Sequence, residues 1–176
     1  MLVLVVGPSG AGKDTLIEAA RRKLEGDRRW RFVRRVITRA ASSGGEAHEA
    51  VTEAEFAQRA FALQWEAHSL SYGIPADVAQ DVAHGIVAVA NVSRAVVADA
   101  AQRFSVRVVE VTAPPHLRAK RLETRGREPS EQLASRLRRS VPLPLGVWTT
   151  TVMNDGSVEE GAARFLAALS RAAGIV

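Results

Sequence analysis

Near its start the chain has a run with the composition of a phosphate-binding loop, Gly7-Pro8-Ser9-Gly10-Ala11-Gly12-Lys13-Asp14. Glycines let backbone N–H groups converge on phosphate oxygens without Cβ clashes, and the N-terminus of a following helix adds positive potential. Lys13 supplies a mobile full charge for the β- and γ-phosphates. The apolar run Leu2–Val6 before the loop and helical spacing after it provide the context that this motif requires. The sequence therefore predicts a nucleoside triphosphate site from Gly7 to Thr15.

Asp14 stands where such loops usually carry a magnesium-binding serine or threonine, and Thr15 follows it. A carboxylate is favourable at a helix N-terminus and is a good ligand for a hard metal ion. We predict that Asp14 binds Mg²⁺ directly or through water. The alternative is that Asp14 only caps the helix while Thr15 contacts phosphate.

Between Leu117 and Arg139 the chain is rich in arginine, and Gly126 offers a hinge. A hinged flap that carries arginines excludes water and neutralises charge during phosphoryl transfer. We predict such a lid at about 121–139; the alternative is a solvated surface helix with Glu123 and Glu128 as partners. The arginines of this stretch are Arg118, Arg121, Arg125, Arg127, Arg136, Arg138 and Arg139.

The elements that must position these residues alternate between strand and helix patterns. Apolar runs predict buried strands at Leu2–Val6, Phe32–Ile37, Gly85–Asn91, Val106–Val111 and Trp148–Met153. Helical spacing and capping signals predict helices at Thr15–Leu24, Thr52–Arg59, Ser93–Gln102, Pro114–Thr124, Ser130–Ser140 and Ser157–Ala173. Residues 38–50 read as a mobile loop and 61–72 as irregular or hairpin strands. The pattern predicts an α/β fold with a mostly parallel sheet in one domain, 1–176.

Composition narrows the classes of function. The chain has 176 residues, 47% hydrophobic and 24% charged, without cysteine, which is typical of an ordered globular protein and excludes thiolate chemistry. No apolar run is long enough for a membrane helix, and the start lacks a basic leader, so we expect a cytoplasmic location and no membrane partner. The net charge of +5 suggests anionic partners, but aromatic residues are only 5%, which does not favour nucleic acid. The oligomeric state is left open.

Several motifs, in order, resemble those of the guanylate-kinase-like P-loop kinases: GPSGAGK, Thr38-Arg39…Gly45-Glu46, Trp65…His68…Tyr72-Gly73 and Arg121-x-x-x-Arg125…Arg136. The guanine-reading parts differ. Gln64 replaces a glutamate, Ile74 replaces a serine, and the base-reading aspartate of that family falls near Asn91. Their second phosphate-binding arginine falls at Ser42 or Ser43.

These departures resemble a sister family, the ribose 1,5-bisphosphate phosphokinases of phosphonate breakdown. The motifs that carry this resemblance are GPSGAGKD, Val36-Ile37-Thr38-Arg39, Phe61-Ala62-Leu63-Gln64-Trp65, Ser71-Tyr72-Gly73-Ile74-Pro75 and Asn91-Val92-Ser93-Arg94. The resemblance implies a P-loop NTPase fold with an acceptor-binding insertion at about 34–75. It also implies transfer of the γ-phosphoryl group of ATP to a small phosphorylated sugar, ribose 1,5-bisphosphate, giving phosphoribosyl diphosphate.

The resemblance also implies roles for residues. Lys13, Mg²⁺ and the lid arginines Arg121, Arg125 and Arg136 would position and neutralise the transferred phosphoryl group. The acceptor would be held by Arg39, Glu46, Tyr72, Asn91 and Arg94. Two alternatives remain: a guanylate or other nucleoside-monophosphate kinase, and a guanylate-kinase-like binding module without catalysis.

Overall fold

A computed structural model describes residues 1–40, 47–125 and 142–175. Within them the chain forms nine strands and six α-helices. The strands are β1 (Leu2–Val6), β2 (Trp30–Phe32), β3 (Val36–Ile37), β4 (Glu49–Ala50), β5 (Phe61–Ala67), β6 (Leu70–Pro75), β7 (Val87–Asn91), β8 (Val106–Thr112) and β9 (Thr149–Met153). The α-helices are α1 (Lys13–Lys23), α2 (Glu53–Ala57), α3 (Val78–Ala83), α4 (Val97–Arg103), α5 (Pro115–Arg125) and α6 (Val158–Ala173), and a 3₁₀ turn, Arg94–Val96, precedes α4.

The central sheet has five parallel strands in the order β2-β7-β1-β8-β9. Its middle strand, β1, reads Leu-Val-Leu-Val-Val and is completely buried, because both faces of the sheet are covered. On one face Val3 and Val5 pack in a cluster with α1 and α6. On the other face Leu2 and Leu4 pack with α4 and with the second sheet. The predicted α/β class with a mostly parallel sheet is confirmed.

The second sheet, in the order β4-β3-β6-β5, is mixed. β3 pairs in parallel with β4, while β3–β6 and β5–β6 are antiparallel. Ala62, Leu63 and Ile74 from this sheet join the core cluster on the β1 face. The second sheet therefore shares a core with the central sheet.

The prediction of one strand at Phe32–Ile37 is wrong. The chain forms β2 beside β7 in the central sheet, leaves it after Phe32, and enters the second sheet at Val36 as β3. An apolar run carries no information about which sheet each half joins, because that depends on partners far away in the chain. The predicted mobile loop at 38–50 includes β4, and its residues 41–46 lie outside the described part of the chain.

A tight hairpin joins β5 to β6, which fits the hairpin prediction for this region. Its two central residues, His68 and Ser69, have φ values of 54° and 57°. Positive φ at both positions is the geometry of the turn that matches the right-handed twist of paired strands. Such a turn favours glycine or asparagine, so this sequence adopts it at a conformational cost.

Helix capping follows the sequence signals. Thr52 and Glu55 form a capping box at α2, and Ser157 and Glu160 form one at α6. The predicted helix Ser130–Ser140 lies outside the described residues. No helix in the described ranges combines the length and apolar character needed to cross a membrane.

Candidate active site

The loop from Gly7 to Gly12 leaves the carboxyl end of β1 and leads into α1. Gly7 has a φ of 147°, and a Cβ there would collide with the backbone carbonyl of Val111 in β8. Gly12 has a φ of 88°, and its Cβ would collide with the Asn154 side chain. Only glycine fits at these two positions. The loop therefore packs directly against β8 and against Asn154, and its backbone N–H groups are the groups that would bind phosphate.

Lys13 is the first residue of α1, and its side chain folds back over the loop. Its Nζ donates to the carbonyl oxygens of Gly7 and Pro8, at 2.8 and 3.3 Å. The ammonium group therefore lies against the segment predicted to hold phosphates. Its position agrees with the predicted role, which stays a prediction.

Asp14 and Asn91 meet at the edge of the sheet. Asn91 ends β7, the neighbour of β1, and its Nδ2 donates to Asp14 Oδ1 at 2.8 Å. Both residues line a cleft of about 1130 Å³ that Thr15, Arg34 and Arg35 also border. A carboxylate oriented in this way beside a phosphate loop suits Mg²⁺, which is usually held by one or two carboxylates together with substrate phosphates. Asn91 was predicted to contact the acceptor, but its Nδ2 already donates a hydrogen bond to Asp14.

In the region predicted to bind the acceptor, Tyr72 and Trp65 stack across the β5–β6 pair. Their ring centroids are 5.3 Å apart and their planes differ by 7°. The Arg35 guanidinium lies 5.3 Å from the Tyr72 centroid and 6.0 Å from that of Trp65, at cation–π distance. Arg35 was missed by the sequence analysis, since its only local signal is the basic pair Arg34-Arg35 between two strands.

Arg39 is held by a histidine that the sequence analysis also missed. The buried His48 bonds through Nε2 to the Arg39 carbonyl, 3.1 Å, and through Nδ1 to Arg39 Nη2, 3.3 Å. Because a carbonyl only accepts and a guanidinium only donates, these partners fix the tautomer with hydrogen on Nε2. Arg39 Nε is buried and has no hydrogen-bond partner within the described part of the chain. The structure thus orders Arg39 at the predicted acceptor region.

Arg94 forms an ion pair with Glu110 of β8. Arg118, in α5, is only 8% exposed and donates through Nε to the Ser9 carbonyl at 3.2 Å. Burial lowers the pKa of the Arg118 guanidinium from its ordinary value, and the nearby Arg94 charge lowers this pKa further. These charges meet directly beside the phosphate loop.

Arg121 also reaches the loop, where its guanidinium donates to the carbonyls of Gly10 and Asn154, at 3.5 and 3.1 Å. Asn154, which is 5% exposed, donates through Nδ2 to the Ala11 carbonyl at 2.7 Å. Sequence reasoning missed Asn154 because it follows β9 and is 143 residues away from Ala11.

Three predicted site residues lie in or beside the segments outside the described ranges. Arg125 is the last residue of α5. Glu46 and Arg136 lie outside the described residues, as does most of the predicted lid.

Comparison with known proteins gives consistent matches. Residues 3–141 match the family model described as an AAA domain. The ribose 1,5-bisphosphate phosphokinase PhnN of Acidiphilium cryptum is 49% identical over 170 residues, covering 97% of this chain and 92% of that protein. The bifunctional ribose 1,5-bisphosphokinase-thymidine phosphorylase of Azorhizobium caulinodans is 48% identical over 175 residues, covering 96% of this chain. The chain spans 25% of the length of that bifunctional relative.

Among solved structures, the guanylate kinase from Anaplasma phagocytophilum superposes with a TM-score of 0.64, covering 97% of this chain and 85% of that chain. At 19% sequence identity this likeness shows the fold alone. It agrees with the predicted P-loop kinase architecture.

Proposed function

The chain belongs to the ribose 1,5-bisphosphate phosphokinase family, and we propose that it transfers the γ-phosphoryl group of ATP to ribose 1,5-bisphosphate. The products are phosphoribosyl diphosphate and ADP. The observation that carries the proposal is a single cleft lined both by residues next to the phosphate loop and by basic residues that suit an acceptor phosphate. Asp14, beside the phosphate loop, lines the same cleft as Arg34 and Arg35.

The positions that read guanine in guanylate kinases favour a different acceptor here. Ile74 is fully buried in the shared core, so its side chain offers nothing to a ligand. Gln64 is exposed, and the Asn91 amide is engaged by Asp14. None of these three side chains carries the carboxylate that suits the N1–H and amino donors of guanine. The basic groups remain, and they suit a doubly phosphorylated sugar.

The proposed reaction needs little covalent chemistry from the protein. An oxygen of the acceptor's 1-phosphate forms the bond to the γ-phosphorus, and the bond from that phosphorus to the bridging oxygen of ADP breaks. The attacking group is already an anion, so no side chain has to remove a proton. Lys13 and the loop N–H groups orient and neutralise the donor phosphates. Arg39 and Arg35 hold the acceptor, and Tyr72 supports Arg35 by stacking.

Asp14 is the residue that would hold Mg²⁺, and Asn91 fixes the orientation of its carboxylate. Bound there, Mg²⁺ would neutralise charge that develops on the β- and γ-phosphate oxygens.

The direct test is incubation with ATP, Mg²⁺ and ribose 1,5-bisphosphate, with phosphoribosyl diphosphate measured by ³¹P NMR or by chromatography. We expect one phosphoribosyl diphosphate per ATP consumed. ATP consumption only with GMP would assign the chain to the guanylate kinases instead. Absence of turnover with either acceptor would favour a binding module without catalysis.

A further inference from the structure

Three charged side chains converge at the carboxyl edge of the central sheet, next to the phosphate loop. In the pairing of β1 with β8, Glu110 lies opposite Val6, the residue that precedes Gly7. Arg94 lies three residues beyond the end of β7, on the other side of β1, and pairs with Glu110. Arg118 approaches from α5 and bonds to Ser9. The group therefore brackets the loop from three elements.

The guanidinium of Arg118 is buried without enough hydrogen-bond partners in the described ranges. Its Nη2 is buried and has no hydrogen-bond partner among the described residues. Within the described part of the chain the guanidinium's hydrogen-bond partner is the Ser9 carbonyl, which is neutral. A buried guanidinium without a counter-charge is costly, and each unsatisfied donor in a native protein calls for an explanation.

The charges in this group do not balance. Arg94 and Arg118 carry two positive charges and Glu110 carries one negative charge, which leaves one net positive charge. The carboxylate is engaged with Arg94. Arg94 and Glu110 keep side-chain exposures of 15% and 24%, so solvent reaches the group from their side. An incoming anion could therefore approach Arg118 without opening the core.

We propose that Arg118 and Arg94 form a subsite for a phosphate dianion beside the Ser9 turn of the loop, with Arg118 in direct contact with the phosphate. The proposal deepens the proposed function and rests on it, because both substrates of that reaction carry such phosphates. The bound group is either the γ-phosphate of ATP or a phosphate of the sugar acceptor. Arg118 is then a substrate-binding residue in addition to the predicted lid arginines Arg121, Arg125 and Arg136.

The test uses Arg118→Met, which keeps length and apolar packing but removes the guanidinium. Isothermal titration with Mg²⁺ present measures Kd for ADP, for the non-hydrolysable β,γ-imido analogue of ATP, and for ribose 1,5-bisphosphate. A contact to a charged phosphate predicts that Kd rises at least about tenfold for the ligand whose phosphate fills the subsite. A higher Kd for the triphosphate analogue, with an unchanged Kd for ADP, identifies the γ-phosphate as the bound group. Weaker binding of ribose 1,5-bisphosphate identifies a phosphate of the acceptor.

Two comparisons separate this role from a structural one. Arg107→Met is the matched control, since Arg107 lies in β8, stacks on Trp148 and is remote from the loop; its Kd values should stay within about twofold of wild type. The melting temperature of ligand-free Arg118→Met should equal or exceed that of wild type, because a desolvated charge has been removed. If Arg118→Met does not fold, Arg118→Lys, which retains the charge but not the fork, should show the same ligand preference with a smaller loss.

Kd values within about twofold of wild type for all three ligands would overturn the subsite and leave Arg118 as a prop for the Ser9 carbonyl. Failure of the proposed function is distinguishable from this result. A wild-type chain that does not phosphorylate ribose 1,5-bisphosphate contradicts that function, whereas the ADP and triphosphate titrations report on Arg118 without any acceptor.

Discussion

Lys13 offers the simplest test of the phosphate loop. Its Nζ donates to the loop carbonyls of Gly7 and Pro8 and not into either core cluster, so Lys13→Ala should leave the core intact. Loss of its charge should lower kcat on the order of 10²-fold or more, which steady-state kinetics with ATP will measure. Lys23→Ala, at the exposed end of the same helix, is the control and should behave like wild type. Near-normal turnover in Lys13→Ala would refute the loop assignment.

Asp14 and Asn91 can be tested by exchanging their chemistry. Asp14 places a carboxylate in the first turn of α1, and Asn91 places an amide at the end of β7 that donates a hydrogen bond to it. Asp14→Ser alone should raise the Mg²⁺ concentration for half-maximal rate at least about tenfold, because a hard carboxylate ligand is lost. Adding Asn91→Asp should recover most of that loss, since the introduced hydroxyl can donate to the introduced carboxylate.

The single change Asn91→Asp is the control for this exchange. It sets two carboxylates against each other, so the metal-free protein should melt at a lower temperature than wild type. A double variant that needs as much Mg²⁺ as Asp14→Ser would show that Asn91 does not act through Asp14.

At the scale of elements, Asn154 couples β9 and α6 to the phosphate loop. Its amide supplies a hydrogen bond to the buried Ala11, and it packs against Gly161 of α6. Asn154→Ala should lower the free energy of unfolding by about 1–3 kcal/mol, because a buried carbonyl loses its side-chain donor. It should also raise KM for ATP more than it lowers kcat. Denaturant titration and kinetics measure both, with Thr151→Ala, exposed on β9, as the control.

The β5–β6 hairpin offers a gain in stability instead. Ser69 has a φ of 57°, which glycine adopts without the Cβ penalty. Ser69→Gly should raise the free energy of unfolding by about 0.5–1 kcal/mol. Ser69→Ala keeps the penalty and should give no gain. A lower melting temperature for Ser69→Gly would mean that the serine side chain stabilises this turn.

Much of this architecture could be predicted because its signals are local. A buried strand, a glycine-rich loop and a capped helix each have a sequence signal within about ten residues. Examples are β1, the phosphate loop and α6. The split of Phe32–Ile37 between two sheets could not be predicted, because strand partners lie far away in the chain. The burial of Arg118 and the loop contact of Asn154 have the same origin. The sequence analysis names Arg118 among the arginines of the stretch from Leu117 to Arg139, but only the packed α5 shows that it is buried against Ser9.

At the scale of the whole molecule, the proposed acceptor preference depends on the second sheet as well as on the cleft beside the phosphate loop. The second sheet contributes a buried Ile74 where a guanine site needs a polar group, and unpaired polar groups of a ligand cost about 1–3 kcal/mol each. We therefore expect kcat/KM for GMP at least about a hundredfold below that for ribose 1,5-bisphosphate. Steady-state rates at the same ATP and Mg²⁺ decide this, and comparable efficiencies would contradict the proposed acceptor.

The central position of β1 also governs how the protein can fold while it is being synthesised. β1 is the first strand of the chain, yet its partners are β7 and β8, with Leu2 opposite Ala88 and Val106. At roughly 5–20 residues per second, the ribosome needs roughly 5–20 s to make the intervening segment. Until β7 is made, an uncharged Leu-Val-Leu-Val-Val strand has neither of its neighbours, and until β8 is made it has one open edge that can pair with other chains. The strand that carries the phosphate loop is thus open to mispairing early in translation, when a chaperone that covers it would prevent association with other chains.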